Sequence, residues 1–422
     1  MNRFHLVRLS FAVLVLAVLT GCLVAVRSDE TAPGAAPAPA VGPIDVRQFG
    51  AVGDGKADDT EALQRALDAA AYRGTERTDP LAVRSGRVML PEGHYRITAP
   101  LKLTPAHKGI VIEGCGGMTW FGGAPGSRRT PFARTQVIYD GTEGGSMMDI
   151  RGINGMEIRN LALLGMGKAG VLVKGNSPRG HATGRIRFQR VLFIDGGTGV
   201  EFGGETATNG DTSYLVECFF RNLDKGFVTR AGQNVLFTFV RCDFMNVGTC
   251  WHAEKGGAYE AMSCFARSCP LVIRIDEVGV NNGTFHFSNL KVEPILGKKR
   301  GRATILKAGS EAMVTFTSLN IVAAVATQGE GLDVPAFDLG PSALVTVTGS
   351  QISGKVATLR GKPDAVPTYL TFDSCRFRVH ADPRKTIDLD EHSGYEVRNS
   401  TVVADVQGKP EFLRRVAKGV GE

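Results

Sequence analysis

YLVECFF (Tyr214–Phe220), FVRCDF (Phe239–Phe244), AMSCFA (Ala261–Ala266) and HFSNLKV (His286–Val292) are copies of one pattern: an apolar-alternating strand, a small or amide residue, then a further apolar pair. It extends upstream as MEIRNLALL (Met156–Leu164) and downstream as FTSLNIV (Phe316–Val322), VTGSQIS (Val347–Ser353), FDSCRFR (Phe372–Arg378) and VRNSTVV (Val397–Val403). From Cys218 to Cys242 to Cys264 to Asn289 the steps are about 24, 22 and 25 residues, and later ones run to about 31. Those are the periods of a solenoid. Each coil returns to the same place one strand spacing further on, so equivalent positions stack into ladders about 4.8 Å apart. Cys218, Cys242 and Cys264 are therefore expected to form an internal stack of small buried thiols, with Asn160, Asn289 and Asn399 filling the same slot. Neighbouring rungs do not generally give disulfide geometry. The strands are separated by Gly, Asn and Asp turns, and no helical period is sustained after Tyr72, so the fold class is all-β, a parallel β-helix.

The chain has 422 residues, 43% of them hydrophobic, with 53 glycines and only 7% aromatics. Such a chain can bury a large core, and its composition favours many tight turns over helical packing. Length alone allows two or three domains, but the repeats make one long domain of it. It opens at Ile44 with IDVRQFGAVGDGKADDTEALQRALDAA: a strand, a Gly-rich turn and one amphipathic helix. Asp58 and Glu61 have the spacing of a capping box, and Ala62, Leu63, Ala66, Leu67 and Ala70 form an apolar face. The Gly-Asp-Gly turn has neither the Gly/Lys spacing of a phosphate loop nor the acidic spacing of a calcium loop.

FGAVGDGKADDTEALQRALDAA followed by GRVMLPEGHYRIT (Gly86–Thr98) resembles the start of the pectate-lyase-like superfamily, which includes rhamnogalacturonase and epimerase-like domains and phage tailspikes. The resemblance is specific over Ile44 to Gly116 and holds beyond that only as coil pattern. It implies a right-handed parallel β-helix whose N-terminal end is plugged by the opening helix, and it implies a polysaccharide partner. The paired aspartates, Gly-His-Gly and Arg-Ile-Lys of polygalacturonase-like members are missing as a set, which puts hydrolysis by that mechanism in doubt. Tailspike-like relatives are trimers, so the expected state is a monomer or a homotrimer.

The N-terminus carries Arg3 and Arg8, an apolar run Leu9–Leu19 too short to span a bilayer comfortably, and Leu19-Thr20-Gly21-Cys22. That last sequence resembles a bacterial lipobox, which implies a signal peptide over 1–21 and a lipid on Cys22. An Ala/Pro-rich linker over 22–43 would tether the domain, 44–406, ahead of a polar tail, 407–422. Leu23 rather than Asp after the cysteine implies the outer membrane in a Gram-negative host. The formal charge of +7 falls to about +5 without the signal, a mild bias toward acidic partners. No basic stripe interleaved with aromatics is present, so nucleic acid is not expected. The Lys298–Arg302 run reads as a solvated loop.

A second strand of the form Gly-apolar-x-apolar recurs after each ladder strand: AGVLVK (Ala169–Lys174), TGVEFG (Thr198–Gly203), KGFVTR (Lys225–Arg230), TCWHAE (Thr249–Glu254) and PLVIRID (Pro270–Asp276). Alternation turns Val200, Phe202, Trp251, Ala253, Ile273 and Ile275 inward, and Glu201, His252, Glu254, Arg274 and Asp276 outward. These five, flanked by Lys174 and Arg230 as substrate-binding residues, are the candidate catalytic cluster. Cleavage of a uronate by elimination needs a base, here His252 or Arg274, and a cation for the sugar carboxylate, with Glu201, Glu254 or Asp276 placed to hold calcium or sugar. In the alternative, Glu254 and Asp276 serve as the two carboxylates of a glycosidase. The leading expectation is thus a lyase or hydrolase of acidic polysaccharide. Its rival is a non-catalytic glycan-binding or adhesion scaffold, for which Trp120, Phe121 and Tyr259 are the obvious exposed aromatics. His181, His286, His380 and His392 lack metal-ligand spacing, and Glu293 is expected on a neighbouring face.

Overall fold

The computed structural model describes residues 42–71, 86–116, 133–178, 181–203, 211–279, 283–293, 303–309, 311–321, 334–378, 383–403 and 411–413. The signal segment, Cys22, most of the Ala/Pro tract, Trp120, Phe121, the Lys298–Arg302 run, His380 and residues 414–422 lie outside them.

The described strands form three parallel sheets wound by one chain. Sheet A includes Arg87–Leu90, Val111–Gly114, Ser213–Val216, Phe237–Val240, Tyr259–Met262, Thr284–Ser288 and the strands on to Ser393–Arg398. Sheet B includes Gly93–Ile97, Thr135–Tyr139, Phe265–Arg267, Lys291–Glu293 and Ser400–Val403. Sheet C includes Leu101–Leu103, Ser146–Arg151, Val171–Asn176, Leu271–Ile275, Thr304–Ala308 and Phe337–Leu339. One strand, Gly184–Phe202, bends through all three sheets. The architecture is the parallel β-helix that the repeats imply, and Glu411–Leu413 adds an antiparallel strand beside Ser400–Val403.

The corner from sheet A to sheet B explains the repeat, with one correction. A single residue there takes the left-handed conformation in coil after coil: Asn160, Glu217, Arg241, Ser263, Asn289, Ser374 and Asn399, with φ from 48° to 61°. Asparagine tolerates that region best among residues with a side chain. The cysteines come one residue later, so Cys264 stacks on Leu290 and not on Asn289. Asn289 instead donates from Nδ2 to Ser263 Oγ at 3.1 Å on the outside. The thiols at this corner donate to a carbonyl of the preceding coil: Cys218 to Phe188, Cys242 to Leu215, and Cys375 to Val347. The described cysteines are all free thiols.

Inward residues fill the prism. Phe193, Phe220 and Phe244 stack with centroids 4.7 and 4.6 Å apart and interplanar angles of 14° and 4°. The helix α1, Thr60–Ala70, buries the five residues expected of it. Its cap differs from expectation, because the N-cap is Asp59 and forms no side-chain cap. Asp59 instead accepts the amides of Val52 and Gly53 at 2.6 and 3.0 Å, tying down the Gly-rich turn, while Asp58 accepts the Thr60 amide at 3.0 Å. Those turn amides offer a stronger claim on Asp59 than the helix end does, since they are otherwise orphaned.

The outer face of sheet B carries a second apolar cluster of Ala162, Leu164, Leu192, Ile194 and Phe219. Asp243 lies in register between Phe219 and Phe265 at its edge. Burial there pushes the Asp243 carboxyl up to about 7, against the pull of Arg267. A carboxyl raised on folding stabilises the fold fully below its unfolded value near 3.8, and that contribution is lost as pH rises towards 7. Asp243→Asn is therefore expected to be more stable than the parent at pH 8 by about 1–2 kcal/mol and to gain nothing at pH 4. Urea midpoints at the two pH values check it; an equal gain at both would rule this account out.

Candidate functional site

The outer face of sheet C is built on a slip in the alternation. At the corner leading into each strand two consecutive residues turn inward, Cys250 with Trp251 and Val272 with Ile273, all fully buried. The preceding coil places Gly226 at that corner, where a Cβ would lie 2.6 Å from the Cys250 carbonyl and 2.7 Å from the Phe244 ring. Beyond the corner the period of two resumes, so one outward row reads Lys174, Glu201, Val228, His252, Arg274 and Lys307 in register. A bulge follows, because Thr229 pairs with Ala253 but Arg230 pairs with Lys255, and Glu254 is the extra residue. The bulge swings Glu254 back over its neighbours.

Six of the seven expected residues are thereby joined in one chain of contacts. Arg230 Nε donates to Glu254 Oε2 at 2.9 Å, and its Nη2 lies 3.4 Å from both Glu254 Oε1 and Glu201 Oε2. His252 Nε2 lies 2.8 Å from Asp276 Oδ2, and Asp276 Oδ1 accepts from Arg274 Nε at 2.8 Å. His252 Nδ1 lies 3.6 Å from Glu254 Oε1, which brings both groups into one cluster. Lys174 neighbours Glu201 one rung earlier. The outward assignment holds for direction, but Glu201 and His252 are only 2% and 3% exposed. They lie beneath the layer formed by Arg230, Glu254, Arg274 and Asp276 and are not surface charges.

Lys225 belongs to the site and was not expected there. It donates from Nζ to Glu254 Oε1 at 2.6 Å. Strict alternation counted back from Phe227 turns Lys225 inward; the Gly226 corner reverses it. The glycine immediately after the lysine was the available signal.

The carboxyls are held in opposite states. Burial pushes Glu201 up, and the charges of Arg230 and Lys174 do not offset it. Burial also pushes Glu254 up, but the hydrogen bond from Lys225 and the charges of Arg230 and Lys225 outweigh it and hold the group below the usual range. Asp276 is likewise held low, with the bonds from Arg274 and His252 overcoming burial. Burial pushes His252 down despite the bond to Asp276. Two carboxyls driven apart around one guanidinium are arranged as an acid and a base.

Calcium does not fit this arrangement. Each carboxylate that would hold it already faces a cation, Arg230, Lys225 or Arg274, and among the described residues no group of three or more His, Cys, Asp or Glu is placed to hold a metal. Tyr259 is a core residue, its ring packed on Phe227 and Phe285, so it is no exposed sugar platform. Glu293 is on sheet B, bound to Arg267 and Lys291 at 2.9 Å each.

Alginate lyase 7 of Azotobacter vinelandii is 47% identical over 53 residues, 13% of this chain and 5% of that protein. Among solved structures, DFA-IIIase from Arthrobacter chlorophenolicus A6 superposes with a TM-score of 0.58 at 12% identity, over 86% of this chain and 96% of that one. The tailspike gp49 from the Acinetobacter baumannii bacteriophage Fri1, a capsular polysaccharide depolymerase, gives 0.50 at 13% identity, over 89% of this chain and 66% of that one. The chain thus spans a small fraction of the curated relative it matches, and the structural likenesses establish the fold alone. The family model described as rhamnogalacturonase A/epimerase, pectate lyase-like matches residues 44–271, more than half of the chain, and the chain belongs to that family.

Proposed function

We propose that the protein binds an acidic polysaccharide along the outer face of sheet C and cleaves it by hydrolysis, with Glu201 as general acid and Glu254 as base. The observation that carries this is Arg230, one guanidinium nitrogen of which lies 3.4 Å from a carboxyl oxygen of each residue, while burial pushes Glu201 up and the charges of Arg230 and Lys225 hold Glu254 low. Lys174, Arg230 and Arg274 face the sugar carboxylates. The pectate-lyase-like family and the depolymerase among the structural neighbours support a polysaccharide partner. Elimination with His252 as base is disfavoured by the contacts of its ring, since Asp276 lies 2.8 Å from Nε2 and Glu254 faces Nδ1 at 3.6 Å.

The test is incubation of the purified protein with a panel of acidic and neutral polysaccharides, following reducing ends and unsaturated products in parallel. New reducing ends without unsaturation support hydrolysis. Unsaturated products would replace it with elimination, and binding without either would leave a glycan-binding scaffold. We also propose export with a lipid on Cys22, supported by Leu19-Thr20-Gly21-Cys22; incorporation of labelled fatty acid that survives Cys22→Ala would overturn it.

A further inference from the structure

His252 is the buried titratable group that the proposed acid and base leave unused. Asp276 is an ionised acceptor, so the proton of the neutral imidazole lies on Nε2 and points to it, leaving the lone pair on Nδ1. Nδ1 is buried and has no hydrogen-bond partner among the described residues. The nearest acceptor of its own kind is Glu254 Oε1 at 3.6 Å. A lone pair facing a carboxylate across that gap is unfavourable until a proton arrives between them. Two positions are therefore prepared for a proton that neither group holds at rest.

We infer that His252 is a positioning residue and proton acceptor behind Glu254, returning Glu254 to its carboxylate form in each turnover; this rests on the reading of Glu254 as the base. As water attacks the anomeric carbon, its O–H bond breaks and the proton goes to Glu254, while Glu201 gives its own proton to the leaving glycosidic oxygen. A neutral Glu254 loosens its hold on Lys225 and Arg230, and the acceptor beside it is the Nδ1 lone pair. The Glu254 O–H bond breaks, an N–H bond forms on His252, and the imidazolium is held by Asp276. The proton then leaves to solvent and Glu201 takes one up, so charge and protons balance over the cycle. His252 is faced by Lys225 and Arg230 from the coil before, by Glu254 on its own strand, and by Arg274 and Asp276 from the coil after. Burial and the charge of Lys225 oppose a resting imidazolium, and Asp276 and Glu254 favour it, so the site holds the proton only in passing.

Two measurements on the full chain test this. In NMR of nitrogen-15-labelled protein, with the His252 signal assigned through its loss in His252→Gln, the neutral Nε2–H tautomer is expected at pH 7. Glu254→Gln, which removes the facing charge, is expected to move the His252 titration to lower pH by at least about half a unit. An Nδ1–H tautomer, or a titration indifferent to Glu254→Gln, would overturn the inference whether or not any glycan is cleaved. In kinetics, His252→Gln keeps an amide towards Asp276 but has no basic Nδ1. It is expected to lower kcat by about 10- to 100-fold with KM nearly unchanged, and to remove one ionisation from the kcat profile. A rise in KM with the profile intact would mean a structural role only. A chain that cleaves nothing would sink the parent reading and the catalytic half of this one, while the NMR result still decides whether the proton site exists.

Discussion

In Glu254→Gln, hydrolysis of the preferred polysaccharide is expected to fall by about 10²- to 10⁴-fold in kcat, the range for loss of one acid–base group. The amide fills the same bulge and its one oxygen can still accept from Lys225 or from Arg230 Nε, which reach different carboxylate oxygens at 2.6 and 2.9 Å. What it lacks is a proton affinity. KM is therefore expected to change little, because the sugar carboxylates are held by cations that the substitution leaves in place. The pH profile gives a second check. The activity of the parent should rise with pH as Glu254 ionises at an unusually low pH and fall as Glu201 ionises above the ordinary glutamate range, since the first group is lowered and the second raised. Glu254→Gln should lose the acidic limb alone. Retention of more than about a tenth of the parent kcat would remove Glu254 from the chemistry.

Phe220→Ala is expected to cost about 3–5 kcal/mol of folding free energy, the range for truncating a fully buried phenylalanine. Phe220 has no exposed surface and stacks on Phe193 of the coil before and Phe244 of the coil after. Removing it empties the middle of a continuous stack, and the neighbouring backbones cannot collapse into the gap because parallel pairing fixes the coil spacing. In a solenoid the loss falls mainly on the two interfaces that the coil makes. That coil also carries Lys225 and Arg230, so activity should fail at lower denaturant than the far C-terminal coils unfold. Denaturant titration with parallel activity readings decides this, and a loss under about 1 kcal/mol would mean that the stack contributes little beyond filling space.

The fold was legible because a solenoid writes the same physical demand into every coil. A left-handed corner favours Asn, Ser or Gly, though Glu217 and Arg241 also take it, the next position must be small or apolar, and an inward strand must alternate, so the local pattern repeats at 22 to 31 residues. Even there the sequence misplaced Asn289 by one residue against Cys264, since both are small and only the pairing register separates the outside corner from the buried slot. Four members of the outward row of sheet C, Lys174, Glu201, His252 and Arg274, could be named from the strand pattern, whereas Val228 and Lys307 were placed only by the pairing register. Lys225 could not, because alternation fails where the chain turns a corner, and Gly226 marks that corner without announcing its geometry.

What the sequence by itself determined is therefore the periodic part: the parallel β-helix, the helix at its start, the family, and the face on which Glu201, His252, Glu254, Arg274 and Asp276 gather. Only the tertiary structure decided their states. Burial of Glu201 and His252, the bulge that brings Glu254 over Arg230 and Lys225, and the pairing of Asp276 with His252 depend on groups about 24 to 29 residues apart in the chain. Protonation and hydrogen bonding follow desolvation and distance to neighbouring charges, and neither quantity is a property of a residue type or of its spacing along the chain.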